Sequence, residues 1–383
     1  MRLLHTSDWH VGRTFHGRDL LADQETVLGA IAELVEVERV DVVVVSGDLY
    51  DRAVPSAEAV ATCTRALSRI RAAGAELVII AGNHDSAQRL GAFAEFAAAG
   101  GLHLRTTVAE LDRPVLLRDE HGPVACYGIP YLEPDPARHA LGRPELRGHA
   151  GVLGEAMDRV RADLAGRGPG VRSVVLAHAF VTGAAPSESE RTIAVGGIED
   201  VPATVFDGVD YVALGHLHGA QTVAEHLRYA GSPIAYSFSE ATQHKSVWLV
   251  DLDADGLAQV RRHELPVPRR LATLRGDLED LLADPANERV ADCYLFAVLT
   301  DPVRPLDAMR RLRERFPFAV RLEWLPDGAP ARPEPRCAAH GRDDASVVEE
   351  FVLDCRGSAP TDSERALFSE AFVAVRELEA RRL

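Results

Sequence analysis

The chain has 383 residues, of which 46% are hydrophobic and 26% charged, as in an ordinary soluble globular protein. Its length predicts two or three domains. Its net charge of -16 argues against a broad nucleic-acid-binding face, although bound metals or a partner could supply the cations. No apolar run is long enough to span a bilayer and no secretory signal is evident, so we predict a cytoplasmic protein without a membrane contact.

The first part of the chain alternates between strands and helices. Four consecutive valines, Val42 to Val45, predict a strand that is buried on both faces. Strand, helix, strand, helix, strand in this order implies right-handed crossovers and a parallel sheet. The predicted strands are 2–6, 42–46 and 76–81, the helices between them are 19–37 and 56–74, and one further short helix carries Leu90, Phe93 and Phe96.

A second sheet is predicted downstream. Its strands lie at 114–118, 123–129, 171–177, 209–214, 226–230, 245–252 and 257–264, with an amphipathic helix over 151–165. The composition shifts at 266–268, after which helix, strand, helix and strand alternate to residue 325, a proline-rich stretch follows, and the chain ends in helical patterns. We therefore predict four segments: an α/β domain over 1–268, a small α/β domain over 269–326, a linker over 327–345 and helices over 346–383.

Side chains that can bind metals follow five of these strands. They are Asp8, His10, Asp48, Asn83, His84, His178, His216 and His218. Ligands of open α/β sheets bind at the carboxyl ends of the strands, so these side chains are expected to converge. Oxygen and imidazole ligands without thiolates favour Mn²⁺, Fe²⁺ or Zn²⁺, and so many candidates fit two ions about 3.5–4 Å apart. Taken singly, each Asp could instead cap a helix and each His could be an ordinary core or surface residue.

The order of the motifs is informative. It runs D-x-H (8–10), G-D-x-x-D (47–51), G-N-H-D (82–85), a single histidine at 178 and G-H-x-H (215–218), which resembles the calcineurin-like metallophosphoesterases. The flanking segments RLLHTSDWHVGR, YVALGHLH and RYAGSPIAYSF resemble the SbcD family of nuclease subunits. The resemblance covers about residues 1–265, extends loosely over the next segment, and reaches the C-terminal helices by position only.

The resemblance implies a two-sheet sandwich flanked by helices, with a capping domain and a helical C-terminal segment. It also implies two metal sites that share Asp48. One site would consist of Asp8, His10, Asp48 and His218, and the other of Asp48, Asn83, His178 and His216. His84 would stabilise charge in the transition state and protonate the leaving oxygen. Asp51 and Asp85 would orient the metal-bound histidines and their loops. Relatives commonly carry a second histidine where this chain has Asp51, so a catalytic role is doubtful at that position.

Weaker signals suggest contacts with DNA. Trp9 could stack on a base or belong to the edge of the core. Arg13, Arg52 and Arg89 could touch phosphates or simply be solvated. Ser232 lies in a turn that could face DNA or merely close a hairpin.

The function implied by the resemblance is a Mn²⁺-dependent DNA nuclease for repair and recombination. It would act as an exonuclease on duplex ends and an endonuclease on single-stranded or hairpin DNA. An SbcC-type ATPase would bind the helices after residue 346 in a heterotetramer, and this chain would form a homodimer near Leu90, Phe93 and Phe96. The alternatives are a small-molecule phosphodiesterase or protein phosphatase on the same fold and, from a different class, a non-catalytic DNA scaffold.

Overall fold

A computed structural model of the chain describes residues 1–190, 201–326, 344–356 and 358–380. By its packing the chain divides into two compact units: Met1–Leu299 with Pro305–Glu323 form the first, and Thr300–Arg304 with the described residues from Trp324 onward form the second. The described strands are β1 (Arg2–Thr6), β2 (Thr14–Phe15), β3 (Arg18–Asp19), β4 (Val42–Ser46), β5 (Glu76–Ile80), β6 (Leu102–Arg105), β7 (Val115–Asp119), β8 (Gly122–Ile129), β9 (Arg172–His178), β10 (Tyr211–Gly215), β11 (Gln221–Ala224), β12 (Leu227–Tyr229), β13 (Ser246–Asp253), β14 (Gly256–Glu264), β15 (Leu271–Gly276), β16 (Tyr294–Leu299) and β17 (Ala319–Trp324). The described helices are α1 (Leu21–Glu38), α2 (Ala57–Ala72), α3 (Ala87–Leu90), α4 (Ala94–Ala99), α5 (Pro134–Ala140), α6 (Gly148–Gly166), α7 (Leu278–Ala283), α8 (Ala308–Arg315), α9 (Asp344–Arg356) and α10 (Asp362–Ala380).

The first sheet has six strands in the order β14-β13-β1-β4-β5-β6. Its strands β1, β4, β5 and β6 are parallel, as the alternation of strands and helices predicts. The valines of β4 alternate between two cores: Val43 and Val45 pack on the side of α1 and α2, and Val42 and Val44 pack on the opposite side. The strand is apolar along its whole length because it is covered on both faces.

The remaining two strands of this sheet correct a prediction. The sequence assigns 245–252 and 257–264 to the second sheet, but β13 pairs antiparallel with β1, with Leu249 opposite Leu4, and β14 pairs with β13. An alternating strand can extend either sheet, since its own pattern specifies which face is buried but not which edge it joins. The prediction was therefore right about the strands and wrong about their partner.

The second sheet has the order β11-β12-β10-β9-β8-β7. Strands β8, β9, β10 and β12 are parallel, and β7 and β11 are antiparallel additions at the two edges. A shared core lies between the two sheets, and Val44, Ile80, Val124 and Leu176 belong to it. Helices α1 and α2 pack on the outer face of the first sheet and α6 packs on that of the second. The predicted fold class, a two-sheet sandwich flanked by helices, is confirmed.

The segment after residue 270 forms a small sheet in the order β15-β16-β17, accompanied by α7 and α8. The sequence predicts a helix first, whereas the structure begins with β15, parallel to β16. The small sheet is anchored on the large domain. Tyr294 Oη donates a hydrogen bond to Asp23 Oδ2 at 3.1 Å, and Arg18 donates to the carbonyl of Pro317 at 3.0 Å.

The predicted short helix that carries Leu90, Phe93 and Phe96 is interrupted. Leu90 ends α3, Phe93 is the residue before α4, and Phe96 lies within α4. The two phenylalanines are 73% and 83% exposed. The three side chains are therefore close in sequence but do not form one stripe on a single helix.

In the second unit, α9 and α10 confirm the predicted helical character of the C-terminal region. Arg365 of α10 donates to Glu349 of α9 at 2.9 Å, which joins the two helices. Most of the linker predicted over 327–345 lies outside the described residues. Within the described part of the chain, no helix combines the length and the apolar character that crossing a membrane requires.

Candidate metal centre

Five loops carry the predicted metal ligands, and each begins at the carboxyl end of a parallel strand. Asp8 and His10 follow β1, Asp48 follows β4, and Asn83 follows β5. His178 ends β9, and His216 and His218 follow β10. Because the two sheets face each other, the loops of the first sheet meet those of the second. The peptide nitrogen of His216 donates to Asp8 Oδ1 at 3.1 Å, and His178 Nδ1 donates to Ser46 O at 2.8 Å.

The backbone at these loops is strained. Seven non-glycine residues of the described chain have positive φ, and four of them are predicted ligands: Asp8 (53°), His10 (44°), Asp48 (50°) and His216 (104°). Such conformations cost about 1–3 kcal/mol each and persist where the surrounding structure imposes them, often at functional sites. The concentration of strain at one edge of the sandwich is independent evidence that this edge is functional.

Two glycines explain how the loops come so close together. A Cβ added to Gly82 would overlap the Asp48 carboxylate, and a Cβ added to Gly215 would overlap the carbonyl oxygen of Ser46. Both positions therefore require glycine for close approach of the chain. This accounts physically for the glycine that precedes the ligands in G-N-H-D and G-H-x-H.

The first group of ligands consists of Asp8, His10 and His218, whose ligand atoms lie within 4.8 Å of one another. The Nε2 atoms of His10 and His218 are 3.1 Å apart, and His10 Nε2 is 3.6 Å from Asp48 Oδ2. Asp8 accepts hydrogen bonds from Ser7 Oγ at 2.6 Å and from the peptide nitrogen of His216 at 3.1 Å. All of these side chains are buried.

The second group lies beside the first and shares Asp8 with it. Asp8, Asp48 and His178 also have ligand atoms within 4.8 Å of one another. His178 Nε2 is 3.6 Å from Asp48 Oδ2 and 2.9 Å from Asn83 Oδ1. The His216 ring lies with its centre 5.3 Å from that of His178. The structure thus brings all seven predicted ligands into one cluster, with Asp48 at its middle.

The ionisation of the cluster fits the binding of cations. Burial, and then the charge of Asp48, raise the pKa of Asp8 well above its usual value. Burial also lowers the pKa of His178 to about 4, and burial followed by neighbouring imidazoles lowers the pKa values of His10 and His216 well below the usual value. Buried carboxylates beside neutral imidazoles are costly by themselves, and a bound cation reverses that cost.

The tautomers provide a second test. His178 Nδ1 lies 2.8 Å from the carbonyl oxygen of Ser46, which can only accept, so Nδ1 carries the proton and Nε2 carries a lone pair. That lone pair faces Asn83 Oδ1 and Asp48 Oδ2, which are themselves acceptors. The Nε2 atoms of His10 and His218 also face each other, 3.1 Å apart. Lone pairs that converge on one another are what a metal ion requires, so the residues fit a divalent cation.

His84 lies at the border of the cluster. Its Nδ1 donates to the carbonyl oxygen of Asp51 at 2.8 Å, so Nε2 faces the site, 4.0 Å from Asp48 Oδ2. Its peptide nitrogen donates to Asp48 Oδ1 at 2.8 Å. His84 also forms a third close group with His10 and Asp48. It can therefore either exchange a proton with a substrate or act as a ligand, and the metal content of a His84→Ala variant distinguishes the two roles.

Asp85 and Asp51 support the loops in different ways. Asp85 accepts hydrogen bonds from the peptide nitrogens of Gly82, Leu49 and Tyr50 at 2.9–3.1 Å, so it joins the loops after β4 and β5. Burial, followed by the charge of Asp48, raises the pKa of Asp85 to about 7. The carboxylate of Asp51 lies 3.9 Å from Nδ1 of both His10 and His84.

The structure contradicts two of the predicted DNA contacts. Trp9 is 1% exposed and its indole donates to Thr6 Oγ1 at 3.0 Å, so the ring belongs to the core and cannot stack on a base. Ser232 is fully buried and donates to the carbonyl of Ile234. Arg13 is half-buried against Ser189 and Asp51, whereas Arg52 and Arg89 are exposed. Only the latter two arginines are accessible to a phosphate without rearrangement.

His218 is surrounded by a set of residues that were not predicted from the sequence. Ser189 Oγ lies 2.5 Å from His218 Nδ1, and Glu190 Oε1 accepts from its peptide nitrogen at 2.8 Å. Behind them, Glu240 pairs with Lys245 at 2.5 Å. Burial favours a raised pKa for Glu240, but hydrogen bonding with His218 and the charge of Lys245 outweigh it and hold the pKa well below the usual value. No local pattern indicates these residues, since Glu240 is 22 positions from the histidine that it supports.

Two segments of the chain match known protein families. Residues 1–220, more than half of the chain, match the calcineurin-like phosphoesterase family. Residues 267–352 match SbcD_C, the Type 5 capsule protein repressor C-terminal domain. The first match contains every predicted metal ligand.

Three solved structures match this chain at low sequence identity. TT1561 of Thermus thermophilus is 15% identical, with a TM-score of 0.41 over 69% of this chain and 98% of its own. GAP50, the anchor in the inner membrane complex of Plasmodium, is 11% identical, with a TM-score of 0.41 over 86% of this chain and 98% of its own. A dimetal phosphatase from Danio rerio is 13% identical, with a TM-score of 0.39 over 70% of this chain and 99% of its own.

Proposed function

The chain belongs to the calcineurin-like phosphoesterase family, whose members are metal-dependent phosphoesterases, and on that premise we propose that it hydrolyses phosphodiester bonds of DNA. The SbcD_C match supports an SbcD-type nuclease subunit. The observation that carries the proposal is the presence, in one chain, of the buried ligand cluster and of this second domain. A phosphatase on the same fold would require the cluster alone.

We assign the ligands to two sites that share Asp48. Asp8, His10 and His218 would complete the first site, and the remaining ligands, Asn83, His178 and His216, would complete the second. A pair of divalent cations at these sites supplies Lewis acidity toward a phosphoryl oxygen and makes a water-derived nucleophile available at neutral pH. The donor set of oxygens and imidazoles suits Mn²⁺, which we propose as the working metal.

His84 is the residue that we assign to proton transfer. Its Nδ1 is engaged by the carbonyl of Asp51, so the ring is held with Nε2 toward the cluster. A protonated Nε2 can donate to a phosphate oxygen as charge develops and then to the leaving oxygen.

We propose that the segments have separate roles, with a nuclease domain over 1–268 and a capping domain over 269–326. The contacts of Tyr294 with Asp23 and of Arg18 with Pro317 support a cap that is fixed beside the D-x-H loop, where it would shape the access of DNA. The helices over 346–383, after a linker over 327–345, would bind an SbcC-type ATPase. A cytoplasmic location would give both subunits access to chromosomal DNA.

The charge of the chain bears on how DNA is bound. A net charge of -16 is unfavourable for binding a polyanion, and Arg52 and Arg89 are the accessible arginines among those that the sequence singled out. We propose that the bound cations and the ATPase partner provide most of the phosphate contacts. DNA affinity should then depend strongly on the partner.

We also propose a homodimer of this chain. Phe93 and Phe96 are the largest side chains in the predicted contact and are mostly exposed. Exposed aromatic side chains close together are typical of contact sites. Light scattering should give the mass of a dimer for the unsubstituted chain and that of a monomer after Phe93→Ser with Phe96→Ser.

The decisive experiment measures cleavage of a hairpin-ended DNA duplex. The purified chain is incubated with Mn²⁺, with and without the ATPase partner, and a p-nitrophenyl phosphodiester serves as a second substrate. We expect cleavage of the hairpin and of duplex ends that is abolished by EDTA and stimulated by the partner. Hydrolysis of the small diester without any cleavage of DNA under either condition would favour the small-molecule phosphodiesterase and reject the nuclease.

A further inference from the structure

His218 is held from three directions by residues outside the ligand set. Its ring Nδ1 lies 2.5 Å from Ser189 Oγ, its peptide nitrogen donates to Glu190 Oε1 at 2.8 Å, and its carbonyl accepts from Lys245 Nζ at 2.9 Å. Both the ring and the main chain of this one histidine are therefore fixed.

The hydrogen bonds around Ser189 have a defined direction. Its hydroxyl contacts Glu240 Oε1 on one side and His218 Nδ1 on the other. An ionised carboxylate can only accept, so the single hydroxyl proton goes to Glu240 and the oxygen accepts from Nδ1–H of the histidine. Nδ1 therefore carries a proton, and Nε2 is the ring atom that faces His10, 3.1 Å away.

Lys245 fixes the other end of this arrangement. It is 5% exposed and its ammonium donates to Glu240 Oε2 at 2.5 Å, to the carbonyl of His218 and to Ser232 Oγ, both at 2.9 Å. A buried ammonium beside a buried carboxylate keeps both groups charged. Lys245 therefore orients the carboxylate and supports the same histidine through its main chain.

We propose that Glu240 is a positioning residue for a metal site and acts on His218 through the hydroxyl of Ser189. We call the three residues Glu240, Ser189 and His218 the Glu240 bridge. The inference rests on the proposed function in one respect, since it takes His218 to be a metal ligand. Carboxylates that orient metal-bound imidazoles usually contact the ring directly. In this chain Glu240 Oε1 lies 3.5 Å from His218 Nδ1, and the shorter contacts run through the hydroxyl of Ser189.

A purely structural ion pair would behave differently. If Glu240 and Lys245 only stabilised the fold, removing the Ser189 hydroxyl would leave the ion pair intact and metal binding unchanged. If the bridge positions His218, the same change would free the ring to rotate or to change tautomer. Metal affinity should then fall even in a protein that is fully folded.

The experiment compares Ser189→Ala with Ser189→Thr and with a matched control. Threonine keeps the hydroxyl. The control is Ser173→Ala, since Ser173 is also buried and donates to a carboxylate, Asp210 Oδ2, at 2.8 Å, at the amino end of β9. Binding of Mn²⁺ to the metal-free protein is measured by calorimetry, the visible spectrum of bound Co²⁺ reports the geometry of the ligands, and circular dichroism checks folding.

We expect Ser189→Ala to weaken the binding of one of two ions by about 10–100-fold and to alter the Co²⁺ spectrum. Ser189→Thr should restore both, and Ser173→Ala should leave both unchanged. Glu240→Gln should follow Ser189→Ala if it folds. Unchanged affinity and spectrum in Ser189→Ala would overturn the bridge but not the nuclease. Failure of the unsubstituted chain to bind any Mn²⁺ would overturn the proposed metal centre, and the bridge with it.

Discussion

The two ends of strand β9 lie in buried, charged surroundings, but the charges are balanced in different ways. At the amino end, Arg172 makes a two-pronged contact with Asp119, which also accepts from the amino group of Met1 at 2.7 Å. At the carboxyl end, His178 faces Asp48 and Asn83. Asp8, close by, accepts only from Ser7 and His216 among the described residues, and no arginine or lysine of that part of the chain forms an ion pair with it.

The pKa values of Asp119 and Asp8 differ in direction between the two ends of β9. Hydrogen bonds from Arg172 hold the pKa of Asp119 well below its usual value, whereas burial raises that of Asp8. The amino end is complete without any other component, because its own cations neutralise the carboxylate. The carboxyl end has buried acceptors in excess of donors, and a bound cation would stabilise that arrangement. Burial of charge alone therefore does not identify a functional site. An excess of buried acceptors that no cation of the chain neutralises does.

The largest expected effect comes from Asp48→Asn, because it removes the carboxylate that we assign to both metal sites. The side chain keeps its shape and loses its charge. We expect at least one metal ion to be lost. The activation free energy of phosphodiester hydrolysis should rise by several kcal/mol, which lowers the rate on the order of 10³-fold or more. Elemental analysis of the purified variant and its cleavage rate provide the measurement. Full occupancy by both ions would refute the shared position of Asp48.

The His84→Ala variant should separate proton transfer from metal binding. Because the Nδ1 of His84 is engaged by the carbonyl of Asp51, we expect Nε2 to serve the substrate and both ions to remain bound. Cleavage should decrease by about 10²–10⁴-fold, as for loss of a general acid. Metal content, DNA binding and rate are measured on the same preparation. Loss of an ion would instead make His84 a ligand, as its closeness to His10 and Asp48 permits.

The comparison also explains what the sequence could reveal. The predicted ligands were identifiable because each follows an apolar strand directly, and parallel strands bring their carboxyl ends to one edge. The recognition of the family from these motifs is confirmed by the match over 1–220. The roles of the individual residues remain predictions, which the variants above test.

What the sequence could not reveal depends on contacts between distant segments. The partner of β13 is set by the open edge beside β1, some 250 positions away, and not by the pattern of β13 itself. Trp9 stands between two ligands, yet its ring turns into the core. Glu240 and Ser189 are 51 positions apart, and their hydrogen bond exists only in the folded chain.

At the balanced end of β9, Arg172→Met should affect stability without affecting the metals. The arginine is 3% exposed, and its loss leaves Asp119 buried with only the amino group of Met1 as a cation. We expect a decrease of about 3 kcal/mol in the free energy of unfolding, measured with urea, and unchanged Mn²⁺ binding. Arg167→Met is the matched control: its pair with Asp163 is more exposed, so the loss should be at most about 1 kcal/mol. Loss of metal binding in Arg172→Met would mean that the two ends of β9 are coupled.

The smallest effect, and the sharpest test of the balance, is the pH dependence of Asp119→Asn. The pKa of Asp119 in the folded chain lies well below its ordinary value of 3.8, because the hydrogen bonds from Arg172 favour the ionised form. The carboxylate therefore stabilises the fold fully above pH 3.8. As the pH falls further, the unfolded chain takes up a proton before the folded chain does, and this contribution is lost.

All other titrating groups are common to the unsubstituted chain and Asp119→Asn. The difference in the free energy of unfolding between the unsubstituted chain and Asp119→Asn should thus be constant between pH 7 and pH 5 and should shrink toward pH 3. Urea unfolding in EDTA at each pH measures it without interference from metals. A difference that stays constant down to pH 3 would mean that the shape of the hydrogen bonds, and not the charge of Asp119, stabilises the amino end of β9.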